Sequence, residues 1–207
     1  RVTAKIAMGM NLNEIEVAGT TADREPSLDY IVAKFPRFPF DKFADAPNSL
    51  GTQMKATGEV MGIGANLEEC MLKSIRSLEN GGYHLYNAKF DAMKTEEIKE
   101  YLKQFRDDNI YGVVELIRRG VSIDEIHTIT MITELFLESF KKIVDMENTL
   151  KNNVDDIQTL REAKKMGFSD IEIAKIWGTT ARCIYDYRMA EKIVPTYKMI
   201  DTCASEF

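Results

Sequence analysis

A mainly helical fold with a small β portion near the N-terminus is what this sequence predicts, on three observations. From Asn66 onward apolar residues recur at helical spacing, as in Leu67, Met71, Ile75 and Leu78 at i, i+4, i+8 and i+11. The later helical stretches are bounded by capping residues and by glycines such as Gly120, Gly167 and Gly178. Only two segments, DYIVAKFPRFPF from Asp29 and QMKATGEVMGIG from Gln53, read as extended chain.

Taken in order, Val2, Ile6 and Met10 share one helical face, so the opening helix is expected to pack; Asn11 to Glu14 form a polar break before a further short helical turn. A polar run from Asp23 to Ser27 leads into the first strand, where Tyr30, Val32 and Lys34 alternate with Ile31, Ala33 and Phe35, and Pro36 and Pro39 forbid helix. After the polar stretch ADAPNSLGT comes the second strand or hairpin, with Gly58 at its turn and Gly62 and Gly64 closing it. Two strands cannot make an independent sheet, so their partners are expected outside the sequence or in a second copy of it. Asn66 caps the helix NLEECMLKSIRSLE, Glu68 and Glu69 favour the positive end of its dipole, and Gly81 and Gly82 end it. Thr95 with Glu97 opens the next helix, Ile110 to Arg119 runs to Gly120, and Ser122 leads IDEIHTIT. The longest amphipathic stretch is ITELFLESFKKIVDMENTL, spanning 132 to 150, and three short helices joined at Gly167 and Gly178, with Ser169 and Thr179 as N-caps, complete a bundle. No repeat of fixed period and no low-complexity tract interrupts the pattern.

Composition narrows the function classes. The 207 residues are 44% hydrophobic and 29% charged, enough for one large or two small cores, and no apolar run approaches the ~18 residues that span a bilayer. A net charge of -6 provides no basic footprint for nucleic acid or anionic lipid, so neither nucleic acid nor membrane is expected as a partner, and a cytoplasmic protein is the expectation. Cys70, Cys183 and Cys203 are odd in number and far apart, with only His84 and His127 as imidazoles, which argues against a zinc site or a disulfide framework. The chain opens at Arg1, without methionine, and enters an apolar-periodic helix at once, as a piece cut from a longer chain would.

Candidate sites resolve mostly into structure. Gly58, Gly62 and Gly64 lack the GxxxxGK[ST] and GxGxxG patterns of phosphate loops. His84 and His127 have no neighbouring nucleophile or carboxylate in a triad-like arrangement and read as structural. The pairs Glu68/Glu69, Glu96/Glu97 and Asp155/Asp156 sit at helix starts, where the macrodipole explains them, and Met54, Met61 and Met71 read as core fillers. The sharpest competitor is a helix-turn-helix-like spacing at 156–192, whose seven bases face six acids; so little positive charge would meet phosphate poorly.

The strings EPSLDYIVAKFPRFPFDKF, LGTQMKATGEVMGIGANLEECMLKSIRSLE and YKMIDTCASEF, with GVSIDEIHTIT and GFSDIEIAKIWG between them, together resemble the large subunit of carbamoyl phosphate synthetase over essentially the whole chain. The resemblance implies the end of the first ATP-grasp domain at 1–60, then a helical oligomerisation domain at 61–207 ending in the linker to the second synthetase half. The resemblance further implies that the complete enzyme is a ligase making carbamoyl phosphate from bicarbonate, ATP and ammonia drawn from glutamine, with ATP, magnesium and potassium as its cofactors, and serving arginine or pyrimidine biosynthesis, between which the residues do not choose. The family's nucleotide and metal residues lie upstream of anything resembling Arg1, so no catalytic, cofactor-binding or metal residue is expected here. Gln53, Met54, Lys55, Gly58, Glu59, Val60 and Met61 match the string that closes the family's first ATP-grasp domain and read as packing. Leu78 matches a family position at a contact between large subunits, and a surplus apolar edge around Leu78 and Tyr83 is the expected oligomer interface. Expected partners are other copies of the large subunit, the remaining synthetase domains and the glutaminase small subunit. Thr133 and Leu135 stand where the family usually shows Asp and Trp, a local departure.

Overall fold

The computed structural model describes residues 1–17, 19–25, 28–43 and 45–200. Cys203 and the rest of the DTCASEF string, Ala44 of the polar stretch, and Pro26 and Ser27 of the polar run lie outside them. The chain divides into two compact units, one of Arg1–Tyr30 with Pro195–Phe207 and one of Ile31–Val194.

In the first unit, helix α1 covers Val2–Ala7 and buries none of its residues; Ile6 and Met10 are exposed, so the expected packing face is open. A 3-10 turn at Leu12–Glu14 takes the place of the polar break, closed by the Asn11 N–H donating to Glu14 Oε2 at 2.8 Å. Two short antiparallel strands follow in place of a helical turn, β1 at Glu16–Val17 and β2 at Thr20–Thr21, with Ile15 buried beside them.

The second unit begins with strand β3 at Ile31–Arg37, paired antiparallel to β4 at Gly58–Gly64 in a register running from Ile31 opposite Gly64 to Arg37 opposite Gly58. Gly58 is therefore the first residue of a strand and not a turn, and the boundary expected at residue 60 falls inside β4. Pro36 sits within β3 because an edge strand tolerates a missing N–H. The pair is supported by helix α2 at Leu67–Ser77, which lies against both strands. Here Gly62 is required for a reason of space: a Cβ on it would stand 2.3 Å from both Cys70 O and Ser74 Oγ. The glycines expected to close a hairpin admit the helix instead, and the helix supplies the burial that two strands alone lack.

Helix α2 starts as expected, the Glu69 N–H donating to Asn66 Oδ1 at 2.8 Å, but stops at Ser77, with Glu79 in the left-handed region at φ 52 ahead of Gly81 and Gly82. Then come α3 at Thr95–Leu102, opened by the Lys94 N–H on Glu97 Oε2, α4 at Asn109–Arg118, α5 at Ile123–Thr130 and α6 at Glu134–Asn152. Helices α7 at Ile157–Lys165, α8 at Asp170–Trp177 and α9 at Ala181–Ala190 follow; α8 ends on Gly178 at φ 69, and the cap of α9 is Thr180, one residue beyond the expected Thr179.

The core sits around α6, which touches α2, α4, α5, α7 and α8. Its 19 residues, about 28 Å of helix, place Leu137, Phe140, Ile143, Val144 and Leu150 on one buried stripe. Each such side chain withdrawn from water stabilises the fold by about 1.5–3 kcal/mol. Trp177 of α8 packs at the end of that stripe and donates its indole N–H to Leu150 O at 2.9 Å. Met71 joins the core, but Met54 and Met61 are exposed, against the expectation that they fill it: Met61 alternates outward on β4 while Gly62 and Gly64 turn inward.

The close approach at Gly62 gives a direct test. Gly62→Ala is expected to lower the unfolding free energy by about 1–3 kcal/mol in urea titration, as overpacking does. Gly58→Ala, where a Cβ meets nothing within 4 Å, should stay within about 0.5 kcal/mol of wild type.

Candidate functional site: a clamped loop beside an apolar groove

Between α2 and α3 the chain runs from Glu79 to Lys94 with one 3-10 turn, Ala88–Phe90, as its only helical element. So much irregular backbone leaves carbonyls without ladder partners, and buried carbonyls need donors from elsewhere. Adjacent arginines at the end of α4 supply them. Arg118 Nη2 donates to Leu85 O at 2.7 Å, while Arg119 donates from Nη1 to Met93 O at 2.6 Å and from Nη2 to Phe90 O at 2.8 Å. Leu85 and Phe90 are buried beneath these contacts.

Arg118 is itself held by α6. Glu147, only 5% exposed, receives Arg118 Nε at 2.9 Å and Nη2 at 2.8 Å, and His84 Nε2 lies 2.8 Å from Glu147 Oε1. The His84 ring leans on Phe168, centroids 5.0 Å apart. Burial alone would push the Glu147 carboxyl up, but the hydrogen bonds and charges of Arg118 and His84 outweigh it and hold the group at about 2. Burial likewise disfavours the charged Arg118 guanidinium, and Glu147 with Glu115 more than restores it. Against the expectation that His84 has no carboxylate neighbour, it is buried on Glu147, a residue 63 positions away that spacing in the sequence does not reveal.

Outward, the loop presents aromatic rings. Tyr83 is 51% exposed; Tyr86 is also exposed, hydrogen-bonded through its hydroxyl to Asp91 and covered by Lys175 Nζ at 4.6 Å from the ring centroid. That hydrogen bond to Asp91 raises the Tyr86 phenol. Lys89 pairs with Asp108 at 2.7 Å and lies over the Tyr101 ring at 4.2 Å.

The two residues expected at the interface occupy different settings. Leu78, half-buried and packed on the core, lines a groove of about 350 Å³ together with Phe35, Leu50, Ile110, Tyr111 and Asp107. Tyr83 does not line that groove and stands on the exposed side of the loop. In the groove wall, burial raises the Asp107 carboxyl, reinforced by the charge of Asp108.

At 156–192 the basic side chains are largely committed within the chain. Asp170 holds Lys164 at 2.7 Å and Arg188 at 2.9 Å, and Asp186 holds Arg182 at 3.0 Å. Among the described residues no helix is long and apolar enough to cross a membrane.

The family model for the carbamoyl-phosphate synthetase large chain, oligomerisation domain, matches residues 59–192. The chain belongs to this family. The matched region contains β4 from Glu59 on and α2 to α9, and so all of the loop, the arginine pair and Glu147. In this carbamoyl-phosphate synthetase domain, the elements the sequence singled out, Leu78 and Tyr83, flank the start of the clamped loop, whereas Arg118, Arg119 and Glu147 were not singled out. The one trace they leave is the adjacent arginine pair at a helix end, which also reads as favourable dipole chemistry.

Removing one partner from the buried ion cluster is expected to be severe. Glu147→Gln should lower the unfolding free energy by about 3–5 kcal/mol, because Arg118 is left buried without its counter-charge. Since the folded-state value lies below the ordinary 4.5, the contribution is complete above that value and is lost as pH falls toward about 2. Wild type should therefore lose about 3 kcal/mol more than Glu147→Gln between pH 5 and pH 2, measured by urea titration at each pH.

Proposed function

We propose that this oligomerisation domain acts by self-association of carbamoyl phosphate synthetase large chains, with Leu78 and Tyr83 in the contact. The observation that carries the reading is the family match over 59–192. It is supported by an apolar side chain, Leu78, at the rim of an open groove and by a tyrosine that leaves half its surface in water. Tyrosine is enriched at the energetic centres of interfaces because it contributes a large rigid surface for little conformational entropy.

The same reading assigns residues 1–60 to the end of a preceding ATP-grasp domain and the chemistry to other parts of the complete large chain. Synthesis of carbamoyl phosphate from bicarbonate, glutamine-derived ammonia and ATP, with magnesium and potassium, would take place there, in the cytoplasm, with the glutaminase small subunit and the remaining synthetase domains as partners. The role of this segment is then to bring large chains together, and it supplies no catalytic, cofactor or metal residue of its own.

Light scattering on a size-exclusion column over a wide concentration range tests the reading. A concentration-dependent dimer or larger species is expected, and Tyr83→Glu and Leu78→Glu should each shift it toward monomer by about tenfold or more in dissociation constant, since a charge would have to be desolvated at the contact. Tyr83→Glu should leave stability nearly unchanged, while Leu78→Glu should also lower it, because Leu78 packs on the core.

A further inference from the structure

We propose that the groove walled by β3, α2 and the start of α4 binds a small organic cation, an ammonium group on an aromatic or aliphatic body, with Asp107 taking the ammonium. Such a site would stand whether or not the chain self-associates.

The groove has the size and the walls of a small-molecule site. Its volume of about 350 Å³ falls at the lower end of the roughly 300–1,000 Å³ typical of ligand pockets. Ile75, fully buried, lines it together with the half-buried Phe35, Leu78 and Ile110, so an apolar body would leave water on entering. One wall is fixed by backbone: the Leu50 N–H donates to Phe105 O at 2.7 Å, and Ser49 pairs with Arg106 in an isolated antiparallel bridge. These contacts hold the segment ahead of β4 against the residues that lead from α3 into α4, and the groove is shaped before a ligand arrives.

Charge decides what the groove takes. Four charged side chains line it, Arg37, Arg106, Asp107 and Asp108, and three of them are engaged. Arg106 lies over the Tyr101 ring at 3.9 Å and donates from Nη2 to Gln104 Oε1 at 2.6 Å, while Arg37 donates from Nη1 to Phe38 O at 2.5 Å. Asp108 receives Lys89 and the Tyr101 hydroxyl, each at 2.7 Å. Asp107 is met only by backbone N–H groups just ahead of α4, its own and that of Asp108, and makes no ion pair among the described residues. Those amides and the charge of Lys89 lower its carboxyl by less than burial and Asp108 raise it, so its charged form is short of stabilisation. An ammonium in hydrogen-bonding reach would supply that stabilisation. An anion would meet guanidinium groups already engaged, beside two carboxylates. A bare metal ion needs several oxygen ligands, and among the described residues no group of three or more His, Cys, Asp and Glu side chains could hold one.

The test is a nuclear magnetic resonance titration of the isotope-labelled chain with three probes that share a phenyl ring and differ in head group: phenethylamine, 2-phenylethanol and 3-phenylpropionate. Because Leu78 also belongs to the expected contact between copies, the protein is kept dilute enough to be monomeric by light scattering. Phenethylamine is expected to shift the amides of Leu78, Asp107 and Ile110 and to bind about tenfold or more tightly than either of the other two, as a hydrogen bond to a charged group allows. Asp107→Asn should abolish that preference while circular dichroism stays at the wild-type level. Equal binding of the amine and the alcohol would mean an apolar groove without a cation site, and tighter binding of 3-phenylpropionate would mean that the arginines select the ligand; either overturns the proposal. So does a preference for the amine that survives in Asp107→Asn, or the absence of shifts at the groove with phenethylamine up to its solubility. Should Asp107→Asn not fold, the three probes on wild type decide, since only their head groups differ. A wild type that never associates leaves each of these outcomes as it is and counts against the self-association reading alone.

Discussion

One carboxylate ties the helices to the irregular stretch of chain between α2 and α3. Glu147 projects from the long central helix α6 and takes both Arg118 of α4 and His84 of the loop, so three segments far apart in sequence meet on two oxygen atoms. An isolated charge in that position would be prohibitive, but this one has its counter-charge and its hydrogen bonds within 2.9 Å. The consequence extends outward: because Glu147 orients Arg118, the arginine can also serve the Leu85 carbonyl, and Arg119 beside it serves Phe90 and Met93.

A different constraint governs the strand pair. Two strands have too little apolar surface to persist unaided, and α2 covers them only because Gly62 offers no side chain where Cys70 O and Ser74 Oγ come close. The pair thereby becomes an edge of the helical unit. The pairing crosses residue 60, which explains why the unit observed extends from Ile31 to Val194.

These two features bear on self-association in a domain of this family. The loop is clamped by arginines, and its Asn80 and Asn87 help to wall the groove together with β3, α2 and α4. A surface of loop residues usually trades specificity for mobility. Clamping its carbonyls from a helix end gives it the fixed shape of a regular element while leaving Tyr83 half exposed.

Much of the helical architecture was legible in the sequence because it depends on local rules. Asn66, Ser122, Asp156 and Ser169 accept from backbone N–H groups three residues on, as their positions suggest, and the stripe of Leu67, Met71, Ile75 and Leu78 turns inward because side chains at i and i+4 share a face. The family was legible for a similar reason, since long strings of residues carry it. Only tertiary structure decided the rest. Met61 lies outside and Gly62 inside because of where α2 sits, Ile6 and Met10 stay exposed although their spacing marks one apolar helical face, and Glu147 is a buried clamp where its sequence neighbours suggest an ordinary surface acid. Periodicity tells which face of a helix is apolar, but the partner of a buried charge is fixed by contacts 29 and 63 residues away, and no local pattern encodes those distances.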